Sequence, residues 1–380
     1  MNQTLSVIDT PCLIVNKLAM DKNINRLKTR LNSMAVGFRP HLKTAKSVEV
    51  ARRVMDSFSG PATVSTLKEA EQFAKAGVVD MTYAVGVEPG KFKRISALRE
   101  QGVEISVLLD SVAQAKALTH YCEENKKFIP ALIEIDCDGH RSGVRPEQHE
   151  LLCEIGKTLE SYTSLLRGVL THAGASYAES TPDALKKCAK EERDAAVKAA
   201  NTLKDAGLPC HVVSVGSTPT AHFSEDLTGV TEVRAGVFVF FDLVMAGIGV
   251  CRIEDIALSV LTTVIGHQED KGWILVDAGW MAMSRDRGTS KQAVDQGYGV
   301  VCDIYGRPIK DLIMVDANQE HGVIALRSGS TESLPKLPIG SKLRILPNHA
   351  CATSAQHNEY KVVDGEKTDI VDIWPRFYGW

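Results

Sequence analysis

The segment His349-Ala350-Cys351 carries two metal-binding side chains separated by a single residue. On an extended segment, residues two apart point to the same face, so one divalent cation could contact both the imidazole and the thiolate. Structural zinc sites have four protein ligands, so a pair would leave positions for water or substrate. The alternative, an exposed histidine beside a buried cysteine, is common for so short a pattern.

Lys43 carries an amine that could form an imine with a carbonyl compound. It follows an apolar run that contains Phe38, Pro40 and Leu42. Apolar surroundings would favour the neutral amine that imine chemistry needs. The alternative is an ordinary solvated lysine. A reactive lysine in the same chain would make the His349 and Cys351 pair part of a reaction centre.

Two turns could hold a phosphate group. Gly216, Ser217 and Thr218 follow a β-rich run, and their bare backbone N–H groups and hydroxyls suit an anion. Arg234 and Gly236 repeat this pattern at the next strand end. The alternative is a normal βα turn with a helix cap.

Three further polar residues lie in turn-like segments. Arg141 is in the turn at 138–143, and His172 and Tyr177 frame a small-residue segment. Taken one at a time, each of them could equally be structural.

The elements that would position these residues alternate regularly between about residues 36 and 240. We predict eight strands, at 36–42, 62–66, 81–85, 105–109, 131–135, 168–171, 212–215 and 232–234. Amphipathic helices are predicted between them, at 67–76, 91–101, 112–123, 148–158 and 182–206. This alternation favours a (β/α)8 TIM-like barrel, in which reactive side chains collect at the carboxyl ends of the strands.

After Gly247 the pattern changes to β-rich runs separated by turn residues. These runs are at 257–265, 273–277, 300–304, 323–326 and 342–346. They predict a mainly-β domain. We therefore predict a barrel domain of residues 16–247 and a β domain formed by residues 1–15 and 248–380, which would carry His349 and Cys351.

The composition excludes several classes of protein. The chain has 380 residues, 44% hydrophobic content and a net charge of -3, which argues against nucleic acid or an anionic membrane as a partner. No apolar stretch is long enough to cross a bilayer, and the first ten residues do not resemble a secretory signal. The nine cysteines are scattered without a CxxC pair, which indicates a reducing compartment and a cytoplasmic protein.

Together these motifs resemble the pyridoxal-phosphate enzymes of the alanine-racemase-like fold. They are most similar to the metal-activated group, which contains D-amino acid dehydratases and aldolases. The resemblance covers essentially the whole chain, through motifs at 9–12, 40–44, 172–177, 216–218, 320–322 and 347–351 in the family's order.

The resemblance implies a role for each candidate residue. Lys43 would hold pyridoxal 5'-phosphate and serve as the catalytic base, and a divalent cation would bind His349 and Cys351. The other cofactor-binding residues would be the phosphate-turn residues, the ring contacts and the arginine facing the pyridine nitrogen, namely Gly216, Ser217, Thr218, Gly236, Arg141, His172, Tyr177 and Arg234. The metal would be zinc, manganese, cobalt or a similar ion.

Two differences from the racemases and aldolases of this fold limit the reactions that the chain is expected to catalyse. Racemases of this fold use a second-domain tyrosine as acid and base, and the comparable stretch at 277–283 has none. A base on only one face disfavours racemisation, and a reaction on a D-amino acid from that one face is therefore favoured. The aldolases typically carry His-x-Asp at the metal site, whereas this chain has His349-x-Cys351, as the dehydratases do. A thiolate also favours zinc and later transition metals over magnesium.

The resemblance thus implies a dehydratase that acts on D-3-hydroxy amino acids. The preferred reaction converts D-threo-3-hydroxyaspartate to oxaloacetate and ammonia, with D-serine to pyruvate as the nearest competitor. The alternatives are retro-aldol cleavage of the D-threonine aldolase type, a pyridoxal-phosphate-binding homeostasis protein, and a cofactor-free Schiff-base aldolase. By analogy we expect a homodimer.

Overall fold

The computed structural model describes residues 3–380, which divide into two compact units. One unit is Arg26–Gly236 with Phe377–Trp380. The other consists of the described residues up to Asn25 together with Val237–Arg376. Met1 and Asn2, which fall in the predicted segment 1–15, lie outside the described residues. The boundaries predicted from the sequence remain a proposal.

The described residues form seventeen strands and eleven α-helices. The strands are β1 (Cys12–Asn16), β2 (Gly37–Phe38), β3 (Ala62–Val64), β4 (Asp80–Gly86), β5 (Glu104–Leu109), β6 (Ala131–Ile135), β7 (Leu166–Thr171), β8 (Val212–Val215), β9 (Glu232–Val233), β10 (Leu258–Gln268), β11 (Trp273–Val276), β12 (Gly299–Cys302), β13 (Pro308–Ala317), β14 (Gly322–Leu326), β15 (Lys342–Pro347), β16 (Glu359–Val363) and β17 (Asp372–Pro375). The helices are α1 (Lys17–Ser33), α2 (Val48–Val54), α3 (Leu67–Ala76), α4 (Phe92–Glu100), α5 (Val112–Asn125), α6 (His149–Glu160), α7 (Pro182–Asp205), α8 (Thr218–Phe223), α9 (Leu243–Gly247), α10 (Trp280–Met283) and α11 (Ala350–Ser354).

The first unit is a parallel eight-stranded barrel. Its strand order is β2-β9-β8-β7-β6-β5-β4-β3. A parallel bridge between His41 and Thr63 joins the two ends of this sheet, and the N–H of Thr63 donates to Pro40 O at 2.8 Å. The predicted (β/α)8 barrel is confirmed. Strands such as β6 are buried along their whole length, as expected where both faces of a parallel sheet are covered.

Short polar residues cap two of the barrel helices directly after a strand. The hydroxyl of Thr66 accepts from the N–H of Glu69 at the start of α3, and Ser111 does the same for Gln114 at the start of α5. These contacts satisfy N–H groups that the helix itself cannot pair. The turns after β3 and β5 are therefore short, whereas longer loops follow β2, β6 and β7.

The second unit is a mixed, mainly antiparallel nine-stranded sheet in the order β11-β14-β13-β12-β15-β10-β1-β16-β17. Because β11 also pairs with β10, six of its strands form a closed barrel. The predicted mainly-β fold is confirmed. The strands β1, β13, β16 and β17 were not predicted from the sequence. The last three alternate buried and exposed residues or are largely exposed, so they lack a continuous apolar run.

None of the helices in the described part of the chain is both long and apolar enough to cross a membrane. All nine cysteines are free thiols.

Candidate active site

Lys43 lies just beyond β2, at the carboxyl end of a barrel strand. The backbone leading to it is held by hydrogen bonds from His41 N to Ala235 O (2.8 Å) and from Leu42 N to Thr63 O (2.9 Å). Leu42 is buried, but Lys43, which lies in the turn that follows His41, is exposed. The apolar shielding expected from Pro40 and Leu42 is therefore not provided by these residues.

A buried carboxylate anchors this lysine loop. Glu69 is completely buried, and its Oε2 accepts from Ser65 N at 2.8 Å. Its Oε1 lies 3.2 Å from Lys46 Nζ. Ser65 also contacts His41 Nε2 at 3.3 Å. Glu69 thus joins the segments after β2 and β3, a role that the sequence analysis did not predict.

His172 is held as a neutral ring beside Tyr177. Burial, together with the charges of Lys43, Arg141 and Arg234, lowers the pKa of His172 to about 3, against the opposing effect of its hydrogen bond to Gly216. Its Nδ1 must donate to Gly216 O, 2.9 Å away, because a carbonyl oxygen can only accept. Nε2 is then unprotonated. The rings of His172 and Tyr177 lie 6.1 Å apart between centroids.

The turn after β8 fits a phosphate group. Gly216 has φ +136°, and a Cβ there would lie 2.0 Å from Arg234 O, so only glycine is tolerated. A Cβ on Gly236 would lie 3.1 Å from His41 O. The buried Oγ1 of Thr218 has no hydrogen-bond partner among residues 3–380. A buried, unpaired hydroxyl beside such closely packed glycines is typical of a place that an oxyanion completes.

Ser217 caps α8. Its hydroxyl accepts from Thr220 N (3.2 Å) and lies 3.0 Å from both Thr220 Oγ1 and Ser176 Oγ. Its own N–H donates to Thr220 Oγ1 at 3.0 Å. The contact of Ser217 with a phosphate stays a prediction, as does that of Thr218, whose hydroxyl is the unpaired one in this turn.

Glu192, on α7, connects the His172 loop to the phosphate turn. Its Oε1 accepts from Ala173 N at 2.8 Å and from Gly216 N at 3.0 Å. The side chain is buried, and burial raises the pKa of this carboxyl group. The sequence analysis missed Glu192, because it lies within a helix rich in charged residues. The only available signal was that it falls on the apolar face of α7.

Replacing Glu192 with leucine is expected to lower the free energy of unfolding by about 2–4 kcal/mol, since each of two buried N–H groups loses its acceptor at about 1–3 kcal/mol. Denaturant titration would measure this, and spectroscopic titration with pyridoxal phosphate should show weaker binding. Glu191→Leu is the matched control, because Glu191 is exposed. Equal midpoints for the two variants would contradict the anchoring role.

Arg234 is buried in a chain of polar contacts inside the barrel unit. Its Nη1 donates to Ser214 Oγ (2.7 Å) and its Nη2 to Thr171 O (2.6 Å). Ser214 donates to Glu232 (2.7 Å), which accepts from Arg39 at 2.8 Å. Burial lowers the pKa of Arg234 to about 10, although Glu192 and Glu232 oppose this. The guanidinium therefore remains charged at neutral pH.

Arg141 lies in the exposed loop after β6. Its charge acts on His172 and on Glu134, which also accepts from Ser142 Oγ at 2.9 Å. Lys43, Arg141, His172 and Arg234 thus form one group of mutually interacting residues in the barrel unit. These residues supply charged and neutral nitrogen groups near the turn that fits a phosphate. Such an arrangement suits an anionic ring.

His349 and Cys351 are neighbours, but not on an extended segment as predicted. β15 ends at Pro347, His349 precedes α11 with φ -136° and ψ 107°, and Cys351 lies in the first turn of that helix. The strand ends early because Asn348 and Ala350 are tied to other segments of the unit. The histidine side chain nevertheless hydrogen-bonds the Cys351 side chain.

The partner of His349 is Asp286. His349 Nδ1 lies 2.7 Å from Asp286 Oδ2. His357 contacts Ala282 O at 2.9 Å. Burial lowers the pKa of His349, but its bonds to Asp286 and Cys351 outweigh burial and raise that pKa to about 11.

Within residues 3–380, no group of three or more His, Cys, Asp or Glu side chains is arranged to hold a metal ion. A nitrogen and a sulfur in contact still suit a cation of the zinc type, with water and substrate as the remaining ligands. The donor set is therefore that of an open two-ligand site.

A barrel with a lysine at a strand end, beside a glycine cradle for phosphate, fits the class of barrel-type pyridoxal-phosphate enzymes. Residues 15–244 match the family described as the alanine racemase N-terminal domain, and residues 257–363 match the putative serine dehydratase domain. The chain belongs to the alanine-racemase-like pyridoxal-phosphate enzymes, in the group of D-amino acid dehydratases, and the family predicted from the sequence is confirmed.

Individual relatives agree with this family. The chain is 51% identical to D-threo-3-hydroxyaspartate dehydratase from Delftia sp. over 100% of both chains. It is 30% identical to D-serine dehydratase from Dictyostelium discoideum, with 98% of both covered, and 30% identical to 3-hydroxy-D-aspartate aldolase from Paracoccus denitrificans, covering 97% of this chain and 92% of the aldolase. A solved structure of D-threo-3-hydroxyaspartate dehydratase, a cysteine-to-alanine mutant in the metal-free form, has 50% identity and a TM-score of 0.96, with 100% of both chains covered.

Proposed function

We propose that this protein is a pyridoxal-phosphate- and divalent-metal-dependent dehydratase of D-3-hydroxy amino acids. Its preferred reaction converts D-threo-3-hydroxyaspartate to oxaloacetate and ammonia, and it also converts D-serine to pyruvate. The observation that carries this proposal is the 51% identity to D-threo-3-hydroxyaspartate dehydratase over the full length of both chains. Elimination of water gives an enamine, and hydrolysis of that product releases the 2-oxo acid and ammonia.

In this proposal the barrel residues hold the cofactor and move one proton. When bound, pyridoxal phosphate supplies an electron sink for the α-carbon, and a divalent cation supplies a Lewis acid for the β-hydroxyl. Lys43 would hold the cofactor through its amine, and the same amine would take the α-proton as general base. Gly216, Ser217, Thr218 and Gly236 would cradle the phosphate.

The polar residues around Lys43 would set the electronics of the ring. We assign Arg141 to the phenolic oxygen side, His172 to the ring face, Tyr177 to a further contact with the cofactor, and Arg234 to the pyridine nitrogen. A buried, charged guanidinium disfavours protonation of that nitrogen. The electron sink would then be weaker, and a Lewis acid held by His349 and Cys351 would contribute more to the reaction.

Retro-aldol cleavage is the second candidate, favoured by the 30% identity to an aldolase. Cys351 argues against it, because the aldolases of this group typically have an aspartate at that position. The match of residues 257–363 to the dehydratase domain argues against a homeostasis protein, which would need only the barrel. We further propose a cytoplasmic homodimer that uses zinc, manganese or cobalt.

A substrate panel tests the reaction. The enzyme loaded with cofactor and metal is incubated with D-serine, D-threonine and both 3-hydroxyaspartate diastereomers, and the 2-oxo acid, ammonia and glycine are measured. We expect equimolar 2-oxo acid and ammonia, with the highest kcat/KM for D-threo-3-hydroxyaspartate. Glycine as the main product would show that the enzyme catalyses retro-aldol cleavage instead. No product from any of these substrates would reject both reactions.

A further inference from the structure

A carboxylate, that of Asp286, sets the orientation of His349, one of the two proposed metal ligands. Asp286 Oδ2 lies 2.7 Å from His349 Nδ1. Since a carboxylate accepts, Nδ1 keeps its proton, and Nε2 is the nitrogen that a metal ion would bind in place of a proton. A carboxylate bonded to the second nitrogen of a metal-binding histidine fixes its tautomer and its ring orientation.

Asp286 is itself held rigidly. Its Oδ1 accepts from Gly288 N at 2.8 Å, so both of its carboxylate oxygens are used. Its backbone O accepts from Asn348 Nδ2 at 3.2 Å, and the same amide donates to Gly297 O at 2.7 Å. Asn348 Oδ1 accepts from Thr289 Oγ1 at 2.6 Å. The residue before His349 therefore fastens the loop that carries Asp286.

A second carboxylate, that of the buried Asp242, holds the other side of the pair. Asp242 Oδ2 accepts from Ala350 N at 2.9 Å and its Oδ1 from Met245 N at 3.0 Å. Val244 N donates to Asn348 O at 3.2 Å. The backbone on both sides of His349 is thus bonded to two separate segments. Such a degree of bonding exceeds what a surface turn needs and is typical of a preorganised site.

We propose that Asp286 is a positioning residue for the metal site, and that Asn348 holds its loop so that His349 presents Nε2 together with Cys351. This inference rests on the metal dependence in the proposed function. Asp286 acts through His349 and does not bind the substrate. Its expected contribution is a roughly 10–100-fold gain in metal affinity, the usual effect of such a partner.

Metal affinity, not turnover, tests this inference. Metal-stripped enzyme that retains pyridoxal phosphate is titrated calorimetrically with zinc and with manganese, for wild type, Asp286→Ala and Asp286→Asn. We expect Asp286→Ala to raise the metal Kd roughly 10–100-fold. Asp286→Asn should raise it less, because the amide oxygen still accepts from Nδ1. Asp316→Ala is the control, because Asp316 is exposed and its side chain bonds only the neighbouring Ala317 N (2.8 Å).

Cofactor content and the melting temperature of each metal-free variant separate positioning from folding. A merely structural role would lower the melting temperature and leave the metal Kd of the folded protein unchanged. A wild-type Kd in folded Asp286→Ala would overturn the inference. If that variant does not fold, an unchanged Kd in Asp286→Asn overturns it. Failure of the proposed function is distinguishable, since it would show as wild-type enzyme that binds metal but releases no 2-oxo acid.

Discussion

Lys43→Ala is expected to lose covalent retention of pyridoxal phosphate and at least about 10³-fold in turnover, because removal of a general base alone costs 10²–10⁴-fold. No other lysine should replace it. Lys46, three residues on, is paired with the buried carboxylate of Glu69 at 3.2 Å. His41 cannot form the imine, and burial holds its pKa well below the ordinary value.

Borohydride reduction followed by mass spectrometry of the peptides measures the covalent bond directly. Wild-type enzyme should carry the pyridoxyl group on Lys43, and Lys43→Ala should carry it nowhere at stoichiometric level. Lys93→Ala is the control, since Lys93 is an exposed lysine of the same barrel unit. Stoichiometric labelling of Lys43→Ala, or full turnover by it, would show that Lys43 was assigned wrongly.

Cys351→Ala is expected to remove dehydration by roughly 10³-fold, equivalent to about 4 kcal/mol of barrier, while pyridoxal phosphate stays bound. The physical reason is that His349 alone is a poor site for a divalent cation once the thiolate is gone. A chelator should have the same effect on wild-type enzyme, and added zinc or manganese should reverse it. The residues proposed to bind the cofactor lie in the barrel unit, so the absorbance spectrum of the bound cofactor should be retained.

The measurement is the rate of 2-oxo acid formation, paired with metal content and the cofactor absorbance of the same sample. Cys153→Ala is the matched control, because it removes a partly exposed thiol from α6 of the barrel unit. Metal-free enzyme that dehydrates the substrate at the wild-type rate would reject the Lewis-acid role. Loss of cofactor together with metal would show that Cys351 supports folding and not only the metal.

The barrel could be predicted because its strands are short apolar runs that end in polar turns. A parallel strand buried on both faces is mainly apolar, and a capping residue favours the start of the helix that follows. These local preferences appear directly in the residues, as in β6, which is apolar except for Glu134, and at Thr66. The candidate residues at the strand ends could be found for the same reason, since chemistry at a barrel's carboxyl edge needs polar residues there.

The contacts that hold those residues could not be predicted. Glu69, Glu192 and Asp286 each bond to a residue of another segment of the chain, and in the sequence they resemble ordinary surface carboxylates. Their contacts depend on which helix or loop packs against which strand. The roles of the two hydroxyls at the phosphate turn, Ser217 and Thr218, were likewise decided by the cap geometry of α8.

By itself, then, the sequence determined the alternation of strand and helix, the change to β structure after Gly247, and the residue types able to form an imine or bind a metal ion. Only the tertiary structure decided that Lys43 is exposed, that His172 is neutral with its proton on Nδ1, and that Asp286 orients His349. The first group depends on local periodicity and chemical identity. The second depends on burial and on hydrogen bonds between residues distant in sequence, which exist only once the chain has folded.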